Sequence, residues 1–400
     1  MTTESDTPGS NRRGWLRFSI RGALGVVTVI CLLFSWVGRD VVRHRTEQRV
    51  VDQLAKLGNT TIKYDYELNA GPQAALSSPP QPPGNRLMRK WFGDLLYARV
   101  FQVSFRVPRA EVDEQTKLLP QLNDLRDVRF DLCRLTDESV EALAKTPRLR
   151  FVTLHHTELT PHQFALLGKS RSIEQVTLSA TAATDNNLRY VASMPNVKHV
   201  RLNIAAISNE GLAVLAEMPQ LERLALDHST AISDEGLASL AELSNMKAFS
   251  ADSTLLTDQA LQTISRWKHL RRLTIRPLKG DHSFHDAGCT QLARLTELRH
   301  LDLSGTAITD RTMPVIGSLS QLQSLSLRHT HLTDAGMAQL KELRNLNQLN
   351  ISGTQVTEAG LNHLAMLPNL EVVVISEDVA VDRRRIGNAV VVRRAVQASF

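Results

Sequence analysis

Cysteine is nearly absent from this 400-residue chain, which has only Cys31, Cys133 and Cys289. An odd number without paired spacing excludes a disulfide framework and a cysteine zinc site. Tryptophan and tyrosine are scarce too, four of each. The apolar material is therefore mainly aliphatic, which suits a stack of small repeated units better than one large core. No Gly-rich phosphate loop, HExxH pair or nucleophile elbow occurs, so neither enzyme activity nor a cofactor is expected. Positive charge is in excess, +6 overall, but it sits at the ends: residues 1–57 carry nine Lys/Arg against five Asp/Glu, and residues 376–400 five against three. That leaves 33 of each sign in residues 58–375. A body without net positive charge gives no reason to expect nucleic acid as a ligand.

Long runs that are both uncharged and mainly apolar are absent with one exception. Residues 22–38 read GALGVVTVICLLFSWVG, about 25 Å as a helix and slightly short of a ~30 Å hydrocarbon core. Arg21 and Arg39 flank the run and Trp36 stands at one end, as snorkelling and interfacial residues do. A cleaved signal peptide is the competing reading, but the lead is long and SWVGRDVV offers no small-x-small cleavage site. The expectation is a single-pass anchor. Four arginines precede it and four follow within a short distance, so the positive-inside count is a tie. A short N-terminal tail ordinarily stays in the cytoplasm, which places the rest of the chain on the non-cytoplasmic side. The expected organisation is a basic tail (1–21), the anchor (22–38), a juxtamembrane helix with a Pro-rich linker and N-terminal cap (39–99), repeats (100–375) and a C-terminal cap (376–400).

What is present in abundance is a period of 24 residues. Leu125, Leu149, Ile173, Val197, Leu221, Met246, Leu270, Leu298, Leu322, Leu346 and Leu370 open eleven units, with 28 residues in the longest. Apolar residues recur three and five places later, as in Leu298, Leu301 and Leu303, the pattern of a short strand with its leucines turned inward. A small polar residue follows at the ninth place (Thr157, Thr181, Thr306, Thr330, Thr354, and Cys133 in the first unit), where it can satisfy backbone groups of a buried turn. Thr-Asp pairs such as Thr309-Asp310 and Thr333-Asp334 come next, with the threonine as helix N-cap and the aspartate favouring the helix dipole. Cys133 and Cys289 fall at places expected to be buried.

LSGTAITDRTMPVIGSLSQLQSLSL and LRHTHLTDAGMAQLKELRNLNQLNI resemble leucine-rich repeats of the cysteine-containing type. The layout of one span, a helix, a YDYE strand, a Pro-rich stretch and repeats is similar to bacterial membrane-anchored leucine-rich repeat proteins. The resemblance covers roughly residues 100–375. It implies an α/β fold: a right-handed, curved solenoid with a parallel sheet on the concave side, helices outside, and one transmembrane helix before it. It also implies a protein ligand on the concave face. Eukaryotic relatives often carry an F-box; nothing in residues 1–57 matches that.

Exposed side chains of the strands are expected at the third, fifth and seventh places of each unit. Arginine is favoured at protein-binding hot spots, and the richest neighbourhood is Arg272, Arg276, His300, Asp302 and Arg328, with Arg201 further along. Beside it PLKGDHSFHDAGC inserts four residues after the strand, and such insertions often serve binding. The 279–286 loop contains Asp281, His282, His285 and Asp286. A metal needs three or four convergent ligands, and His285-Asp286 is accounted for as a variant Thr-Asp helix start. Asp227-His228-Ser229 has the residue types of a triad but not its spatial logic. Arg383–Arg385, Arg393 and Arg394 belong most simply to a charged terminal edge, with attraction to anionic lipid or nucleic acid as the rival. The leading reading is a membrane-anchored protein-binding scaffold; a stiff spacer of the cell envelope and a metal-dependent activity at the 279–286 loop are the alternatives.

Overall fold

A computed structural model describes residues 20–68, 99–108, 110–180, 184–204, 207–278, 283–377, 379 and 390–394, without most side chains of 20–41 and 390–394. The first element is a single helix, α1 (Ile20–Leu57), closed by Gly58 at φ +73°. The expected anchor and juxtamembrane helix are thus parts of one helix, since nothing in VGRDVV stops it. The far end of α1 lies on the repeat stack, with Val50 and Leu54 buried in the common core. Arg43 pairs with Asp124 and Glu47, and Asp124 also receives Arg148 at 2.6 Å. Among the described residues no helix is long and apolar enough to cross a membrane. Most side chains of the expected anchor lie outside that description.

Strand β1 (Thr60–Tyr64) pairs antiparallel with β2 (Val100–Arg106), and from there every strand is parallel to the next. The YDYE motif is thus split, its tail forming a short helix over Asp65–Leu68. The eleven units supply β3 (Asp127–Asp131), β4 (Phe151–His155), β5 (Gln175–Ser179), β6 (His199–Asn203), β7 (Arg223–Asp227) and β8 (Ala248–Thr254). They continue with β9 (Arg272–Pro277), β10 (His300–Asp302), β11 (Ser324–Ser326), β12 (Gln348–Asn350) and β13 (Val372–Ser376). β14 (Val390–Arg394) adds one more parallel strand, so Arg393 and Arg394 lie on the terminal strand of the sheet. Leucines three and five places into each unit, such as Leu301 and Leu303, are buried against the helices, and the alternate positions face out.

The Thr-Asp pair proves to be a clamp between units. Asp310 accepts the Thr333 backbone N–H at 2.9 Å and the Thr333 hydroxyl at 2.6 Å, while Thr333 itself caps its helix by accepting from Ala335. Asp185, Asp234, Asp286 and Asp334 do the same for Ser208, Thr257, Thr309 and Thr357. Burial pushes the Asp286 carboxyl up, but the donors from Thr309 and Thr312 outweigh it and hold the group below the ordinary carboxylate value. The glycine two places after the aspartate makes room for the clamp of the preceding unit. A Cβ on Gly336 would lie 2.3 Å from Asp310 Oδ1, and one on Gly360 2.3 Å from Asp334 Oδ1. The ninth-place residues act as expected: Thr306 and Thr330 donate to the Leu303 and Leu327 carbonyls at 2.7 Å, and Cys133 donates to Asp131 at 3.3 Å. Thr181 lies outside the described residues.

The eighth place holds a feature absent from the sequence reading. Its backbone N–H makes one more bond to the neighbouring unit, as Ile204 does to the Asp227 carbonyl at 3.0 Å, and the chain then turns through the left-handed region. Gly305 and Gly353 adopt this at φ +79° and +73°, but Leu132 and Ile204 are held there at +60° and +52°.

Two outcomes follow. Gly336→Ala should destabilise the repeat body by about 1–3 kcal/mol through overpacking, although helix propensity alone favours Ala by about 1 kcal/mol. Gly168→Ala, where a Cβ meets nothing closer than 3.4 Å, should be neutral or stabilising. Equal denaturation midpoints for the two variants would contradict the clamp. Ile204→Gly should stabilise the repeat body by about 1 kcal/mol, read as a higher denaturation midpoint, because the left-handed conformation is costly for a β-branched residue; Ile204 is 54% exposed and loses little packing.

Candidate binding face

The strand register sets the face. Pairing joins Asp127, Phe151, Gln175, His199, Arg223, Ala248, Arg272, His300, Ser324, Gln348 and Val372 into one row across the sheet. Arg129, Thr153, Thr177, Arg201, Ala225, Ser250, Thr274, Asp302, Ser326 and Asn350 form the next row. At the strand ends lie Asp131, His155, Ser179, Asn203, Asp227, Asp252 and Arg276. Neighbouring strands are about 4.8 Å apart, so each row is a line of closely spaced side chains.

The arginine neighbourhood expected from the sequence divides in two. Arg276 donates to Asp302 at 2.6 Å and 3.1 Å and to Asp252 at 3.4 Å. Asp302 also accepts the Ser304 hydroxyl and backbone N–H. Arg276 and Asp302 are thus engaged with each other, and the Arg276 guanidinium is not a free anchor. Burial favours the neutral form, yet Asp302 and Asp252 hold the Arg276 proton above the ordinary arginine value. The side chains of Arg201, Arg272 and Arg328, by contrast, have no hydrogen bond or ion pair among the described residues. Arg328 stands apart, beyond Ser304 on the next unit.

Arg201, Arg272 and His300 line one groove of about 610 Å³. Its floor is made by the small residues Ala225, Ala248 and Ser250, and its walls also carry Arg223, Lys247, Arg271 and Arg299. Lys247, Arg271 and Arg299 occupy the second place of three successive units, chained by backbone bonds of 2.8 Å and 2.9 Å. Sequence reasoning missed them because inside–outside alternation applies within a strand, and these residues lie just before one. Lys247 is paired with Glu222 at 2.9 Å and Arg271 with Glu297 at 3.4 Å. Arg223 and Arg299 have no such partner among the described residues. The groove lining contains no carboxylate. His300 is held below the ordinary histidine pKa by burial and then by Arg272 and Arg299; His199 is lowered by burial and Arg223. The neutral total of the body therefore conceals a local cluster of cations in this groove.

Two other candidates have structural roles. His285 donates its backbone N–H to the Asp258 carboxylate at 2.8 Å in the same clamp as the threonines, and Asp286 accepts the Thr309 N–H. Asp281 and His282 lie outside the described residues. Cys289 is fully buried, and burial, then Asp258 and Asp286, pushes its thiol up to about 12.

A family model described as a leucine-rich repeat region matches residues 220–394. Among solved structures, an internalin from Listeria monocytogenes is 17% identical over 72% of this chain and 91% of its own, with a TM-score of 0.48. Internalin C2 of the same organism is 20% identical, over 54% of this chain and 84% of its own, at 0.41. TLR13, solved in complex with ssRNA13, is 18% identical at 0.46; this chain matches 64% of its own length and 40% of TLR13. No curated protein matches the chain. Residues 220–394 are thus a leucine-rich repeat region, and repeated strand–helix units of the same pattern precede them from Leu125 onward.

Proposed function

We propose that the chain is a non-catalytic, membrane-anchored scaffold that binds a protein on the open face of its sheet. One observation carries this reading: the face displays registered polar rows in which the Arg201, Arg223 and Arg272 side chains, with Arg299 just before β10, have no ion pair among the described residues. Arginine left free in a half-enclosed, low-carboxylate surface is the residue type that gains most from a binding partner. Of the loop residues that suggested a metal, His285 and Asp286 are engaged in the clamp. Anchoring is supported by the uncharged run at 22–38 lying inside the unbroken α1 and by exposed Val27, Val29 and Val42 on that helix. The docking of Val50 and Leu54 gives the anchor a firm seat on the solenoid. The repeat domain is placed on the non-cytoplasmic side, as the short basic tail favours.

Both parts are tested together on carbonate-washed membranes carrying photo-cross-linkers. The chain is expected in the pellet, with Thr274 or Ser326 as cross-linking position giving one discrete protein adduct, and the helix-side positions Arg294 and Lys341 giving none. Recovery in the soluble fraction would overturn the anchor. Adducts from the helix-side positions alone would overturn the binding face.

A further inference from the structure

Resting on that scaffold reading, we propose that the groove over β6 to β10 binds an extended acidic segment of the partner protein, its Asp and Glu carboxylates meeting Arg201, Arg223, Arg272 and Arg299. The floor of Ala225, Ala248 and Ser250 leaves space where neighbouring strands carry long side chains. Around that space stand four guanidiniums without an ion pair among the described residues, and the groove lining supplies no anion of its own. Guanidinium groups pair with carboxylates in a planar, two-bond geometry, so fixed arginines on neighbouring strands select for anions held at a matching interval. Lys247 and Arg271 close the strand-start side, each already engaged by a carboxylate outside the groove.

A narrow anionic chain fits better than a broad one. At the other end of the same strands lie Asp227 and Asp252, about 13 Å from the cationic row. Burial and its neighbour Asp252 push the Asp227 carboxyl up, against the pull of Ser250 and Arg201. Asp252 is bridged by Arg276, but Asp227 has no ion-pair partner among the described residues, and a polyphosphate backbone wide enough to cover the face would meet it. A peptide lying along the cationic row does not, and it can present a basic residue towards Asp227. Single-stranded nucleic acid draws much of its affinity from aromatic stacking, whereas the one aromatic residue of the groove, Phe249, is buried beneath the sheet. Five strands span about 19 Å, the length of about six extended residues.

The full chain in detergent is titrated with fluorescent polyglutamate, polyglutamine and oligothymidylate, read by anisotropy at several salt concentrations. Polyglutamate should bind at least tenfold tighter than either of the others, with affinity falling as salt rises. Arg223→Ser, Arg272→Ser and Arg299→Ser together should weaken it at least tenfold, while Arg328→Ser, outside the groove, should change it less than twofold. Equal affinity for polyglutamate and polyglutamine, or an unchanged triple variant, overturns the proposal. Tighter oligothymidylate binding that the triple variant abolishes also overturns it, in favour of nucleic acid. If the Thr274 and Ser326 adducts persist in the triple variant, the scaffold reading stands and the acidic-segment proposal falls.

Discussion

No single turn of this chain can bury its own leucines, so every feature of the molecule depends on successive turns stacking in one register. Two bonding systems hold that register from opposite sides of the core. On the sheet side, the left-handed eighth place of most units adds one more bond to the next unit. On the helix side, an aspartate of one unit grips the backbone and hydroxyl of the next unit's cap, as Asp310 grips Thr333. Buried apolar side chains supply most of the driving force, but they are nearly interchangeable and do not choose a register. The directional bonds do, and glycine at the third helical place is the space they require.

Register has a consequence for function that composition conceals. Residues 58–375 are electrically balanced, yet stacking brings together charges that are 24 to 28 residues apart in the chain. At the strand starts it gathers Lys247, Arg271 and Arg299 beside Arg223 and Arg272; at the strand ends it gathers Asp227 and Asp252. The result is a face with two opposed rows of charge. Such a surface favours a partner with its own pattern over one that is merely charged, because like-charge juxtapositions count against wrong partners.

The sheet rows were legible in the sequence because the period of 24 repeats without drift, and because the four extra residues at 277–286 fall between β9 and the next helix. Thr306 and Thr330 could be read for the same reason: a small polar residue at one fixed place has one job there. Asp310 was half legible. Its effect on its own helix is local, but its stronger bond is to a residue 23 places away, which only the stacked geometry shows. Arg276 looked free because the sequence carries no sign that Asp252 and Asp302 would flank it on both neighbouring strands. Arg299 was overlooked because alternation was applied no further than the strand. The strained turn at Ile204 has no sequence signal, since the favoured glycine appears only in other units.

The central claim is that register divides the arginines of the open face into engaged and free ones. Arginine-selective chemical footprinting of the full chain, read residue by residue by mass spectrometry, tests it directly. Arg223, Arg272 and Arg299 should modify quickly, and Arg276, held by Asp252 and Asp302, should modify severalfold more slowly despite its exposed position. Modification of Arg276 as fast as the other three would contradict the account.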